Sequence, residues 1–179
     1  MGGPKALLPI EETTFIAHAC RLVARPGVAE VVTVIGAGAD RVRAEAHIPG
    51  GVAVVENEGW REGMLSSVWR GLDAAEPLGA EAILLHPVDH PVTAPETVDR
   101  VVAALRRGAF AAVPVHQRRR GHPGGFGREA FGALRAAPVD RGARAVLAGH
   151  PTRIVEVAGD AGCLLGINTP EDYRRVVGR

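Results

Sequence analysis

Lysine is almost absent from this chain of 179 residues: Lys5 stands alone beside twenty arginines. Aromatic residues amount to 4%, so the core must rest on Val, Leu, Ala and Ile, a composition that suits parallel strands covered by helices. The two cysteines, Cys20 and Cys163, lie far apart and lack Cys-x-x-Cys or Cys-x-x-His company. That argues against a zinc site and for two buried thiols in a reducing cytoplasm. No stretch reaches the roughly 18–20 continuous apolar residues of a membrane helix, and no charged-then-apolar signal pattern opens the chain. A net charge of +1 speaks against nonspecific nucleic-acid or membrane binding, and no Gln/Asn, Ser or Pro tract marks disorder. Residues 1–179 read as one soluble domain.

What is present is an alternation of strand and helix patterns. Thr13 or Thr14 can cap a helix whose apolar positions Phe15, Ile16, Ala19, Leu22 and Val23 recur at helical spacing, ended by Arg25-Pro26-Gly27. Strands are predicted at 31–35, 52–55, 82–85, 111–115 and 154–157. Helices are predicted at 40–47, from 63 through 75, and at 95–107, 128–136 and 141–148. Residues 118–121 read as a hairpin tip, and 163–167 as a short apolar piece. A closing helix starts at Thr169-Pro170-Glu171-Asp172, with Thr as N-cap, Pro at the first helical position and acids in the first turn. Such alternation with short links predicts an α/β sheet, mostly parallel.

Four stretches look like one site assembled from loops: Gly2-Gly3-Pro4-Lys5-Ala6-Leu7-Leu8-Pro9, Asn57-Glu58-Gly59-Trp60 with Gly63-Met64-Leu65-Ser66-Ser67, Pro87-Val88-Asp89-His90-Pro91, and Gly166-Ile167-Asn168-Thr169-Pro170-Glu171-Asp172. Each follows a strand or opens a helix, the positions where α/β sheets bind ligands. Two more are Arg120-Gly121-His122-Pro123 with Phe126, and Asp140-Arg141-Gly142-Ala143-Arg144. In this order, over essentially the whole chain, they resemble the MobA-like nucleotidyltransferases, most closely the molybdenum cofactor cytidylyltransferase branch.

The resemblance implies a three-layer Rossmann-like fold of the nucleotide-diphospho-sugar transferase type. It also implies Mg²⁺-dependent transfer of a nucleoside monophosphate from CTP or GTP to a small phosphorylated acceptor such as molybdopterin, with release of pyrophosphate. A sugar- or alcohol-phosphate acceptor, or a noncatalytic nucleotide- or pterin-binding relative, are the alternatives. Asp89 matches the strand-end aspartate that holds Mg²⁺, and Asn168 the second metal ligand, here an uncharged amide. Lys5 matches the lysine near the nucleotide phosphates, where a compact point charge suits the transferring group better than a planar guanidinium fork. Asn57, Gly63 and Ser66 match positions bordering base and ribose, although Ser66 and Ser67 equally suit a helix N-cap. Arg120, His122 and Arg144 are expected on the acceptor side, and molybdoenzyme maturation partners are a further expectation.

For Asp172 the resemblance adds nothing beyond a first-turn acid, and for His86 and His90 local backbone contacts are expected. Family members begin with a strand and a Leu-Ala-Ala-Gly-x-Ser-x-Arg-like loop ahead of this Met-Gly. The fold is therefore expected to lack its first strand. Met1 is expected to be an internal residue of a longer protein, a degenerate relative being the alternative.

Overall fold

The structure, a computed structural model, describes residues 3–178; Met1 and Gly2, the latter part of the first motif, lie outside them. A 3-10 turn, Lys5–Leu7, leads into a short antiparallel hairpin of β1 (Pro9–Ile10) and β2 (Thr13–Thr14). Thr14 then caps α1 (Phe15–Val23), its Oγ1 accepting the Ala17 N–H at 3.4 Å. There follow β3 (Val32–Ile35), α2 (Ala39–Glu45), β4 (Ala53–Glu56), α3 (Met64–Ala75), β5 (Ala82–Leu85), α4 (Pro95–Arg106) and β6 (Ala111–His116). The second half adds β7 (Arg119–Arg120), β8 (Gly124–Gly127), α5 (Phe131–Arg135), α6 (Arg144–Gly149), β9 (Ile154–Ala158) and α7 (Pro170–Val176).

The strands form two larger sheets. β3 and β4 pair in parallel, and a second sheet runs β5-β8-β6-β7, with β9 parallel to β6. Because β8 is antiparallel to both β5 and β6, those two strands share a direction with β9, while β7 and β8 oppose them. The sheet is therefore mixed, its parallel strands interrupted by β8. Among the described residues, β3 has one partner strand, β4, and β5 one, β8; α3 packs against all of β3, β4 and β5.

Three layers follow from the two-residue period of the strands. Ile83 and Leu85 of β5, with Ala111 of β6, pack under α3, α5 and α6 with Leu65, Leu72, Phe131 and Leu134. Leu84 and Ala112 face the other way, against Val98, Val101, Val102 and Ala104 of α4, with Leu22 of α1 also against Leu84. Coverage on both faces explains why β5 reads as a continuous Ala-Ile-Leu-Leu run.

β8 was not expected, since Gly-Gly-Phe-Gly has almost no strand signal. Its glycines are needed for close approach. A Cβ at Gly125 would stand 2.7 Å from Leu105 Cδ1, and one at Gly127 2.5 Å from the Ala109 carbonyl oxygen. The predicted helix at 128–136 is a 3-10 turn running into the shorter α5, and the 163–167 piece begins inside a 3-10 turn, Ala161–Leu164. Cys20 and Cys163 are buried and unpaired. No helix of the described residues is long and apolar enough to cross a membrane.

Candidate active site

The parallel strands deliver their loops to one end of the sheet. β3 ends at Ile35 and is followed by Gly36-Ala37-Gly38; Gly38, at φ 70°, sits in the left-handed region before α2. A Cβ at Gly38 would be 3.0 Å from Pro4 Cγ, so the residue before Lys5 rests on this loop. The 3-10 turn closes through Leu8 N–H to the Lys5 carbonyl at 3.0 Å and Leu7 N–H to the Pro4 carbonyl at 3.0 Å. It holds Lys5 at the mouth of the strands.

Lys5, Asp89 and Asn168, brought from three distant stretches, meet there. The Lys5 ammonium donates to Asn168 Oδ1 at 2.6 Å and lies 3.6 Å from Asp89 Oδ2. Both acidic and basic side chains remain partly open, at 22% and 36% exposure. The Asn168 loop is tied to the Asp89 loop by the Ile167 N–H, which donates to the Asp89 carbonyl at 2.8 Å. Ile167 itself is buried with Ile10 and Phe15, and Tyr173 Oη donates to the Pro9 carbonyl at 2.7 Å, so α7 and the N-terminal hairpin clamp the same corner. Asp172 belongs to the helix end: its Oδ2 accepts the N–H of Asn168 and of Thr169, Thr169 Oγ1 accepts the Asp172 N–H, and its pKa is lowered by these bonds. This reciprocal cap orients Asn168 from behind.

Asn57, Gly63 and Ser66 form a second part. Gly63, at φ 112°, takes a conformation that side-chain-bearing residues rarely adopt, and it serves as the N-cap of α3. Neither serine caps. Asn57 and Ser66 are 2% and 5% exposed. The Asn57 amide donates to Ser66 Oγ at 2.8 Å and Ser67 Oγ at 3.0 Å, and Ser66 Oγ donates to the Gly63 carbonyl at 2.7 Å. These polar atoms are spent on one another: they shape the 57–66 loop, and Met64 at its tip is 71% exposed. Trp60 lies against Gly36, where a Cβ would be 2.6 Å from Trp60 Cβ, and Arg61 stacks over its ring at 4.3 Å. The Gly36-Ala37-Gly38 loop, which abuts Pro4 and Trp60, is absent from the predicted site stretches, although a Gly-x-Gly directly after a β-branched strand is a signal for such a loop.

On the other flank, the His90 and His122 rings lie 4.5 Å apart, centroid to centroid. The His122 N–H donates to the Cys163 carbonyl at 2.9 Å, and the His122–Pro123 peptide bond is cis. Burial pushes the His122 pKa down to about 4, with the nearby His90 and Arg144 adding to the shift and Asp89 opposing it. Burial, then His122 and His90, pushes His86 to about 3. Among the described residues, both ring nitrogens of His86, and Nδ1 of His90 and of His122, are buried without a well-formed hydrogen bond, while the backbones of His90 and of Cys163 lie close enough to the His86 and His90 rings to oppose the effect of burial on them. Arg144 approaches this cluster and makes no ion pair among the described residues. Arg120 does not join it. Its guanidinium is bound across the sheet to Glu156 of β9 at 2.9 Å.

No group of three His, Cys, Asp or Glu residues among those described is arranged to hold a metal. One carboxylate oxygen and one amide oxygen do converge on a cation, the Lys5 ammonium, and this donor set suits a hard ion completed by water and phosphate oxygens.

The sequence pattern of the MobA-like NTP transferase domain matches residues 1–155. This chain belongs to the MobA-like NTP transferase domain family.

Two curated relatives and one structurally characterised protein illustrate the likeness. Nicotine blue oxidoreductase of Paenarthrobacter nicotinovorans is 35% identical over 127 residues, covering 68% of this chain and 61% of that protein. The 2-C-methyl-D-erythritol 4-phosphate cytidylyltransferase of Streptomyces avermitilis is 36% identical over 127 residues, covering 63% of this chain and 46% of the enzyme. The chain thus spans about half to three fifths of these relatives. The crystal structure of Rv0371c from Mycobacterium tuberculosis H37Rv superimposes with a TM-score of 0.86 at 29% identity, over 100% of this chain and 91% of that one. A second structure of Rv0371c, in complex with manganese, gives 0.80 at 28%, over 99% and 94%. The MobA-like fold expected from the motifs is therefore the fold observed.

Proposed function

We propose that this MobA-like protein is a nucleotidyltransferase that moves a nucleoside monophosphate from CTP or GTP to a small phosphorylated acceptor such as molybdopterin. Residues 1–179 would act as one cytoplasmic domain. The observation that carries the reading is the convergence of Lys5, Asp89 and Asn168 at the strand ends. In the reaction, an acceptor phosphate oxygen attacks the α-phosphorus, the bond from that phosphorus to the bridging oxygen breaks, and pyrophosphate leaves. Asp89 and Asn168 would hold Mg²⁺, which supplies charge withdrawal from the phosphate oxygens when bound. Lys5 places a mobile point charge where negative charge develops. Gly63, free of a side chain, lets the backbone approach the nucleotide, while Asn57 and Ser66 keep that loop in shape. His122 and Arg144 border the acceptor side, Arg144, without an ion pair among the described residues, offering a positive charge to an anion; Arg120, spent on Glu156, would serve there only by leaving it.

A sugar- or alcohol-phosphate acceptor is the second reading. The 36% identity to an enzyme named for a cytidylyl transfer to an erythritol phosphate favours it. Pyrophosphate release from CTP and from GTP, measured with Mg²⁺ or Mn²⁺ and each acceptor class, tests both. Nucleotide bound in calorimetry with no turnover on any acceptor would instead support a noncatalytic binding protein.

A further inference from the structure

The Lys5 ammonium stands between the two oxygens that the nucleotidyl-transfer reading assigns to a divalent cation. Nζ is 2.6 Å from Asn168 Oδ1, a full hydrogen bond, and 3.6 Å from Asp89 Oδ2. Hard cations take such oxygens at about 2.0–2.6 Å. An ammonium in contact with the amide oxygen therefore occupies both the ligand and the space, and two cations held so close repel.

We propose that Lys5 is a place-holder for the cation: ammonium and divalent ion compete for Asp89 and Asn168, and a nucleotide's phosphates draw the ammonium aside as the ion enters. The inference rests on the nucleotidyl-transfer reading. Cation and nucleotide then bind cooperatively, and the bare site, one carboxylate and one amide already satisfied, takes up a free ion poorly.

The backbone permits this exchange. Lys5 is anchored by the turn hydrogen bond to Leu8 and by Pro4 against Gly38, while its side chain is 36% exposed, so four methylenes swing from a fixed root. Residue type matters for the same reason. A lysine makes one displaceable contact, whereas an arginine fork would clamp the carboxylate through two parallel bonds. This gives a physical reason for a single lysine in a chain with twenty arginines.

The test is Mn²⁺ binding to the full chain, by calorimetry and by electron paramagnetic resonance, with and without α,β-methylene analogues of CTP and GTP. Lys5→Met, which keeps the stem and removes the charge, is expected to bind Mn²⁺ alone about tenfold more tightly than the unmodified protein. By reciprocity, the enhancement of Mn²⁺ affinity by the nucleotide analogue should shrink in that variant. Lys5→Gln is read in parallel in case the Met variant misfolds, and Asp89→Asn should abolish the tight Mn²⁺ site in both backgrounds. If the unmodified protein binds Mn²⁺ with the nucleotide analogue but Lys5→Met and Lys5→Gln bind Mn²⁺ alone no better, the place-holder is overturned and nucleotidyl transfer stands. If no variant binds Mn²⁺ even with an analogue, both fall.

Discussion

The backbone N–H of Ile167 donates to the carbonyl of Asp89 at 2.8 Å, joining a loop near the C-terminus to the loop after β5. Ile167 is fully buried and the next residue, Asn168, meets Lys5, so one hydrogen bond and one apolar side chain help set where the Asn168 amide stands relative to the Asp89 carboxylate. The corner is thus held by main chain and core, while the Lys5 and Asp89 side chains stay partly exposed.

Asp89→Asn should reduce pyrophosphate release by about 100-fold or more, in line with losing a charge-stabilising group at a reacting centre. Stability should change by less than about 1 kcal/mol, because the carboxylate's ion pair with Lys5 is solvent-accessible. Rate measurement beside urea unfolding checks this, and retained turnover would remove Asp89 from the mechanism.

Ser66→Ala separates scaffold from ligand contact. It takes one acceptor from the buried Asn57 amide, leaving Ser67 Oγ at 3.0 Å, and should destabilise the protein by about 1–3 kcal/mol. A raised KM for the nucleotide with unchanged urea midpoint would instead place Ser66 Oγ on the substrate.

Acid should unfold the protein through its histidines before its carboxylates. His86 and His122, surrounded by His90, His18, Asp89 and Arg144, are depressed from 6.5 to about 3 and about 4. Between those values and 6.5 the unfolded chain binds the extra protons. Stability is full above pH 6.5 and drops as pH falls, each ring adding a slope approaching about 1.4 kcal/mol per pH unit. Urea midpoints at pH 7.5, 6.5, 5.5 and 4.5 test this; a flat profile would mean that the rings are solvated.

Gly121→Ala should be costly despite its small size. The added Cβ would fall 2.5 Å from both the carbonyl oxygen and Sγ of Cys163, and that carbonyl also accepts the His122 N–H. A loss of about 1–3 kcal/mol is expected, with the His122 ring resonance displaced in NMR spectra.

Arg120→Ala, by contrast, breaks an exposed pair with Glu156 and should cost under about 1 kcal/mol. An acceptor KM unchanged within about twofold would remove Arg120 from the acceptor side, and a large rise would show that it exchanges Glu156 for substrate.

Much of this was legible in the linear chain. Helical spacing and the Thr14 cap locate α1, and the buried run Ala82–Leu85 locates β5. Motif order along the chain identified the family. Lys5, Asp89 and Asn168 were each named as candidate site residues, and the structure brings these three together. Illegible were β8, whose glycines carry no strand propensity and are explained only by Leu105, Val101 and Ala109 pressing on them, and the orphaned nitrogens of His86. Which side chains are spent on scaffold was equally hidden: Ser66 could have been a cap or a ligand contact until its oxygen was found between Asn57 and Gly63.

The sequence by itself determined the alternation of elements, the family and the inventory of chemical groups, because propensity, capping and motif spacing are local properties. Only the tertiary structure decided that the Lys5 ammonium lies between Asp89 and Asn168, and that Arg120 is bound to Glu156. Those pairings join residues far apart along the chain, and they depend on how the sheet and the buried Ile167 bring the loops together.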